Sequence, residues 1–166
     1  MSKLQNPIEV TVGENKFYIR PFPAFKAVNL SAEVVKLLAP VTGPILNAID
    51  TKGGLESAID KDLDLDKALP EFIKALGNLD GDDCEKLLRR LIIEPKTIAV
   101  DFNGQTVQLS EDILNEIFAL NTQNIFVLAF HVIKVNYGGF FTSLGTRFGS
   151  LAEKFKKTQN STPTEN

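Results

Sequence analysis

The chain has 166 residues, of which 43% are hydrophobic and 23% are charged, and this composition fits one globular domain with a core of its own. The net charge of −3 argues against a nucleic-acid-binding protein, because such a protein needs clustered cations to neutralise phosphates. The single cysteine, Cys84, excludes an internal disulfide and favours a reducing compartment, for which the cytoplasm is the simplest candidate.

The N-terminal region begins with MSKLQNPIEV, which lacks the apolar core of a signal peptide because polar and charged residues interrupt it. Residues 8–19 are predicted to form a β-hairpin, since apolar and polar residues alternate before a turn at Gly13-Glu14-Asn15. Pro21 and Pro23 then end the sheet, because proline cannot donate a ladder hydrogen bond, and both suit the entrance to a helix.

A helix is predicted from Ala24 onwards, because apolar residues recur there at steps of three or four. Pro40 and the Gly43-Pro44 pair are expected to end or kink this helix. One apolar face of this helix is expected to carry Phe25, Val28, Ala32, Val35 and Leu38.

The middle of the chain, residues 50–85, is acidic, with eleven Asp and Glu against four Lys. One short helix is predicted around 69–76, and another opens near residues 82–83, whose negative charge suits the positive end of a helix dipole. The alternating aspartates of 60–66 match a calcium-binding EF-hand loop only in part, because Leu65 stands where that loop needs glycine. We therefore expect a solvated acidic loop and no metal site.

A second hairpin is predicted over residues 97–109, after Glu94-Pro95 breaks the preceding helix. Asn103-Gly104 between alternating segments is typical of a type I′ turn, in which both residues adopt positive φ. Because two isolated hairpins are marginally stable, we expect them to pair into one small sheet or each to lie on helices.

The next predicted helix covers residues 111–120 and follows Ser110, a favourable N-cap. The longest apolar run, Ile125–Val135, comes next and has 11 residues, where a membrane span needs about 20, so a buried core helix is predicted. His131 lies within that run without a second metal ligand nearby and is expected to be a core or boundary residue. The 111–120 helix is expected to face inward with Ile113, Ile117 and Leu120.

Tyr137-Gly138-Gly139 is predicted to break the chain before a second, amphipathic helix. Apolar residues follow there at steps of 3, 4, 3 and 4, a coiled-coil spacing that forms one narrow stripe. Gly145 and Gly149 sit beside this stripe and let another backbone come close. We give the name C-terminal seam to Phe140, Phe141, Leu144, Phe148, Leu151 and Phe155.

Three interpretations of the C-terminal seam stay open at this point. It closes the protein's own core, it docks another protein, or it lies as a basic amphipathic helix on a membrane surface. The acidic remainder of the chain argues against the membrane. The predicted site residues are therefore partner-binding ones, those of the C-terminal seam.

No motif for catalysis or for cofactor binding occurs in the sequence. The glycines do not form a dinucleotide or phosphate fingerprint, and no serine or cysteine stands at a recognisable nucleophile spacing. We predict a non-enzymatic α+β protein without a cofactor, predominantly helical, with two short β-hairpins. It is expected to comprise one domain over residues 1–157 and a polar, disordered tail over 158–166.

The order of these segments resembles the tail assembly chaperones of long-tailed bacteriophages and prophages, especially those of Gram-positive hosts. A short β segment leads through YIRPFPAFKAV into a helix, and an acidic helical middle follows. NIFVLAFHVIKVNYGGFF comes late in the chain, with an Asn-Tyr joint before paired aromatics.

The resemblance implies a protein of the host cytoplasm that binds the tape measure protein, helps recruit tail tube protein and is absent from the mature virion. It also implies a short form and a longer, frameshifted form. The C-terminal seam would then contact the tape measure chain or a second copy of the protein as a homo-oligomer. Two alternatives remain: a structural subunit of a phage tail or connector, and a small cytosolic regulatory binding domain.

Overall fold

The computed structural model describes residues 6–48 and 65–138, and it describes side chains for residues 6–37 and 69–138. The architecture is α+β, predominantly helical with two β-hairpins, as predicted. The elements in chain order are β1 (Ile8–Val12), β2 (Asn15–Ile19), α1 (Ala24–Ala48), α2 (Leu65–Gly77), α3 (Gly81–Ile92), β3 (Ile98–Phe102), β4 (Gln105–Gln108), α4 (Glu111–Phe118) and α5 (residues 123–138).

The two hairpins share one antiparallel sheet with the strand order β1-β2-β3-β4. The central pair joins β2 to β3, where Phe17 faces Val100 and Ile19 faces Ile98. This pairing settles the alternative that the sequence leaves open. The predicted turn at Asn103-Gly104 is confirmed, because both residues have positive φ, 51° and 78°.

The sheet buries one face and leaves the other polar. Phe17, Ile19, Ile98 and Val100 lie on the buried face and are fully enclosed. The Phe17 ring packs against the ring of Phe118 from α4, with centroids 5.8 Å apart. The strict alternation of a half-buried strand therefore sets which side chains reach the helices.

The buried face of α1 differs from the apolar face that the sequence predicts. Leu30, Val34 and Leu37 are buried, whereas Phe25 and Val28 point into solvent. The helix carries two apolar stripes at helical spacing, and periodicity cannot say which of them meets the core. Pro40 and Gly43-Pro44 do not end α1, which continues to Ala48. A proline removes one backbone hydrogen bond of a helix and need not terminate it.

Two further expectations about helices need correction. Leu120 is 95% exposed, because α4 ends at Phe118, and the fully inward positions belong to Leu114 and Phe118, one turn apart. Of the predicted break at Tyr137-Gly138-Gly139, the first two residues are helical because α5 includes both, and Gly139 lies outside the described residues. Ser110 does cap α4 as predicted, and its hydroxyl accepts from the Ile113 amide at 3.4 Å.

The acidic middle begins a helix earlier than predicted. Leu65 is the first residue of α2, so the second half of the candidate EF-hand loop is helical, and its first aspartates lie outside the described residues. Asp80 caps α3 by accepting from the Asp82 amide at 2.9 Å. The domain end at 157 and the tail 158–166 also lie outside the described residues.

Candidate functional site

The two segments that carry the family resemblance meet in the structure. Pro21 and Pro23 have no N–H, so Phe22 supplies the only backbone donor of this short stretch. The Phe22 amide donates to Oδ1 of Asn136 at 2.6 Å, although 114 positions separate the two residues. The PFP stretch before α1 is therefore fixed to the last turn of α5.

Asn136 is itself held in place by α5. Its Nδ2 donates to the Val132 carbonyl, one turn earlier, at 2.8 Å. Both ends of the side-chain amide are thus used, and the bond to Val132 points Oδ1 toward the Phe22 amide.

Tyr137 makes the second connection between α5 and α1. Its hydroxyl donates to the Ala27 carbonyl at 2.7 Å, and its ring lies edge-on to Phe22 with centroids 6.4 Å apart. Tyr137 is 4% exposed, and burial raises its pKa to about 12, so the hydroxyl keeps its proton at neutral pH. We name Asn136 and Tyr137 the clamp.

The opposite side of α1 is fixed by α3 and by Glu94, which lies two residues after the end of α3. Arg90 donates to Glu33 and to Asn29, both on α1. Lys26 pairs with Glu94 at 3.2 Å. Together with the buried face, these contacts hold the first turns of α1 from three directions.

The remaining side of α1 carries an apolar row that faces solvent. Phe25 is 91% exposed, Val28 is 69% exposed, and Ala32 is exposed as well, while Val35 is half-buried. We name these four residues the outward stripe. Single exposed apolar residues are ordinary, but a row at steps of 3, 4 and 3 on one fixed helix forms a surface that another helix fits.

The predicted partner-binding residues do not coincide with this surface. The whole C-terminal seam, residues 140–155, lies outside the described residues. The structure shows the point from which the chain continues toward the C-terminal seam, because α5 carries the chain to Gly138 directly after the clamp. The sequence indicated Asn136-Tyr137 only as a joint between two segments. The Phe22 amide, the lone backbone donor between two prolines, was the signal that could have pointed to a distant hydrogen-bond acceptor.

His131 and Cys84, the two residues considered for metal binding or catalysis, have ordinary surroundings. Burial, and then the charge of Lys134, lower the pKa of His131, whose ring lies near that of Phe130. Burial also raises the pKa of the Cys84 thiol on α3, which makes the thiolate scarce. His131 is half-buried, in agreement with the predicted boundary position.

The described ranges contain neither a cluster of metal ligands nor a helix that could span a membrane. Within residues 6–48 and 65–138, no three His, Cys, Asp or Glu side chains come together as metal ligands would. None of the helices in that part of the chain combines the length and the apolar character that crossing a bilayer requires.

A fixed helix that presents an exposed apolar row is typical of a surface that binds another protein. The family described as "phage tail assembly chaperone protein, TAC" matches residues 13–149, and the chain belongs to this family. This match confirms the resemblance. No curated protein and no solved structure matches the chain.

Proposed function

We propose that this chain is a non-enzymatic assembly chaperone that binds the tape measure protein and helps recruit tail tube subunits while a phage tail is built. The family match over residues 13–149 carries the proposal. In this role the protein acts in the host cytoplasm and is absent from the mature virion.

The C-terminal seam is the proposed contact with the tape measure protein. A long helical chain that buries its apolar face against another helix needs anchors at steps of three and four, and the seam supplies them. The family match extends through Phe148, so it includes the first four of the six seam residues. Phe141, Phe148 and Phe155 are the largest anchors and are expected to contribute most.

The clamp supports this role because it fixes the point from which the seam starts. Asn136 binds the Phe22 amide just before α1, and Tyr137 binds the Ala27 carbonyl in the first turn of α1. The core holds α5 itself through the buried side chains of Leu128, Val132 and Ile133. A binding segment that begins at a fixed root loses less orientational freedom on contact than one that begins in a mobile chain.

Co-expression with the tape measure protein tests the proposal. The partner is the long helical protein expected to be encoded next to this chain, and its soluble fraction is measured with and without the chaperone. Wild-type chain is expected to keep it soluble and to co-purify with it. A tape measure protein that stays insoluble beside folded wild-type chain would contradict the proposal.

The triple variant Phe141→Ser/Phe148→Ser/Phe155→Ser is expected to abolish binding or self-association. A matched control, Lys154→Ser/Lys156→Ser/Lys157→Ser, places three serines on polar positions of the same segment. Circular dichroism of both variants accompanies the assay. An unfolded triple variant would assign the seam to the protein's own core, and equal binding by both variants would remove it from the interface.

A further inference from the structure

The described chain ends beside the start of the outward stripe. Asn136 binds the Phe22 amide and Tyr137 binds the Ala27 carbonyl, so α5 delivers the chain to the first turns of α1. Val28, the second residue of the stripe, is the immediate neighbour of Ala27. The residues that follow Gly138 therefore begin next to the exposed apolar row.

The outward stripe and the C-terminal seam have the same spacing. Stripe residues follow one another at steps of 3, 4 and 3, and the seam from Phe141 onward has steps of 3, 4, 3 and 4. Two helices with this pattern pack along their length at a shallow angle, because successive apolar residues stay on the contact line.

The direction of the seam follows from where it starts. The clamp lies at the N-terminal end of α1 and the stripe extends toward its C-terminal end, so a seam that covers the stripe runs parallel to α1. Residues 141–155 span about 21 Å as a helix, and α1 from Phe25 to its end spans about 35 Å, so the helix is long enough to hold the seam.

Side-chain sizes fit a parallel register. When Phe141 lies level with Phe25, Leu144 lies level with Val28 and Phe148 meets Ala32. The small side chain of Ala32 leaves room for the large ring, and alternation of large and small residues is how facing helices interlock.

We propose that the C-terminal seam of this chain docks on the outward stripe of α1 and leaves it when the tape measure protein binds. The docking step rests on the geometry of α1 and α5 and on the spacing and side-chain sizes of the seam, whereas the release step rests on the proposed function. The stripe thereby keeps the seam covered in the free protein and competes with the partner for it.

Amide hydrogen exchange of the full-length chain tests the docking step. Wild-type protein is expected to protect amides in residues 140–155, and Phe25→Ser/Val28→Ser is expected to lose that protection at least tenfold with an unchanged melting temperature. The control Ala24→Ser/Lys36→Ser places two serines on exposed positions of the same helix and is expected to exchange like wild type. Unprotected wild-type amides, or equal protection in both variants, would overturn the proposal.

Amide exchange at two protein concentrations shows whether the outward stripe is covered by the seam of the same chain or by a second copy. Protection that is independent of concentration supports docking within one chain. Protection that grows with concentration means that a second copy covers the stripe, and it would overturn the proposal.

Affinity for the tape measure protein tests the release step. Because the stripe competes for the seam, Phe25→Ser/Val28→Ser is expected to bind several-fold more tightly than wild type. Weaker binding would make the stripe itself part of the partner interface and would overturn the competition. If neither protein binds although the seam is protected as expected, the proposed function fails and the docking step stands.

Discussion

The outer face of the sheet and the outer face of α1 both point to solvent, and they are built in opposite ways. On the sheet, Asp101 accepts from the Tyr18 hydroxyl at 3.0 Å and from the Thr106 hydroxyl at 2.5 Å. On α1, the apolar side chains of Phe25 and Val28 are exposed to solvent.

The two faces differ in how much free energy a partner would gain by covering them. The polar groups of the sheet face bind one another and water, so covering them would bring little net stabilisation. Covering the outward stripe removes apolar surface from water at about 25 cal/mol per Å². A docking partner is therefore expected on α1, and water is expected on the outer face of the sheet.

The two faces of α1 itself give the sharpest contrast. Val34→Ala removes two methyl groups from a fully buried side chain and is expected to lower the free energy of unfolding by about 2 kcal/mol. Val28→Ala makes the same change on the outward stripe and is expected to stay within about 0.5 kcal/mol of wild type. Urea denaturation measures both. Equal losses would mean that the stripe is part of the core.

Loosening the clamp is expected to affect α1 and to leave the sheet face intact. Asn136→Ala removes the acceptor of the Phe22 amide and is expected to cost about 1–2 kcal/mol, because a partly buried donor loses its partner. Asn115→Ala, at an exposed position of α4, is the matched control. Thermal unfolding compares the two, and an unchanged melting temperature for Asn136→Ala would show that the clamp does not hold α1.

Tyr137→Phe is expected to cost about 1 kcal/mol at neutral pH through the lost bond to Ala27. The folded pKa of Tyr137 is about 12, above the ordinary value of 10, so the fold favours the protonated hydroxyl. That contribution is complete below pH 10 and is lost as the pH rises from 10 toward 12.

Denaturation of wild type and Tyr137→Phe at several pH values between 9 and 11.5 measures this effect. The stability of wild type is expected to fall more steeply with pH than that of the variant. Tyr18 titrates in both proteins and cancels from the comparison. Parallel pH profiles would contradict the buried, proton-retaining hydroxyl.

The smallest effect is expected on the outer face of the sheet. Hydrogen bonds from Thr106 and then Tyr18 lower the pKa of Asp101, so its contribution to stability is present above the ordinary carboxylate pKa and is lost as pH falls through the lowered folded value. Asp101→Asn is expected to lower the melting temperature slightly at pH 7, and the gap from wild type is expected to narrow in acid. A gap that widens in acid would contradict this assignment.

Much of the fold follows from local patterns in the sequence. Asn103-Gly104 determines its turn because few other residues accept positive φ at both positions, and Ser110 marks a helix start because its hydroxyl caps an amide. These signals act within four residues. They are therefore readable without knowledge of the rest of the chain.

The candidate site depends on contacts that no local pattern contains. Two apolar stripes of α1 have equal periodicity, and only the packing of Leu30 and Val34 decides which of them is buried. The bond between Phe22 and Asn136 joins segments at opposite ends of the described chain, and the lone Phe22 amide indicates a need for an acceptor without identifying Asn136. The apolar character of the seam is readable from the sequence, whereas the exposure of the outward stripe is not.

Cysteine crosslinking tests the central contrast between the two outer faces most directly. In a Cys84→Ala background, Leu144→Cys is combined with Val28→Cys on α1 or with Thr106→Cys on the sheet, and oxidation is followed at low protein concentration. Rapid crosslinking within the monomer is expected for the Val28 pair and little for the Thr106 pair. Equal rates for the two pairs, or crosslinking that yields only dimers, would contradict docking of the seam on α1.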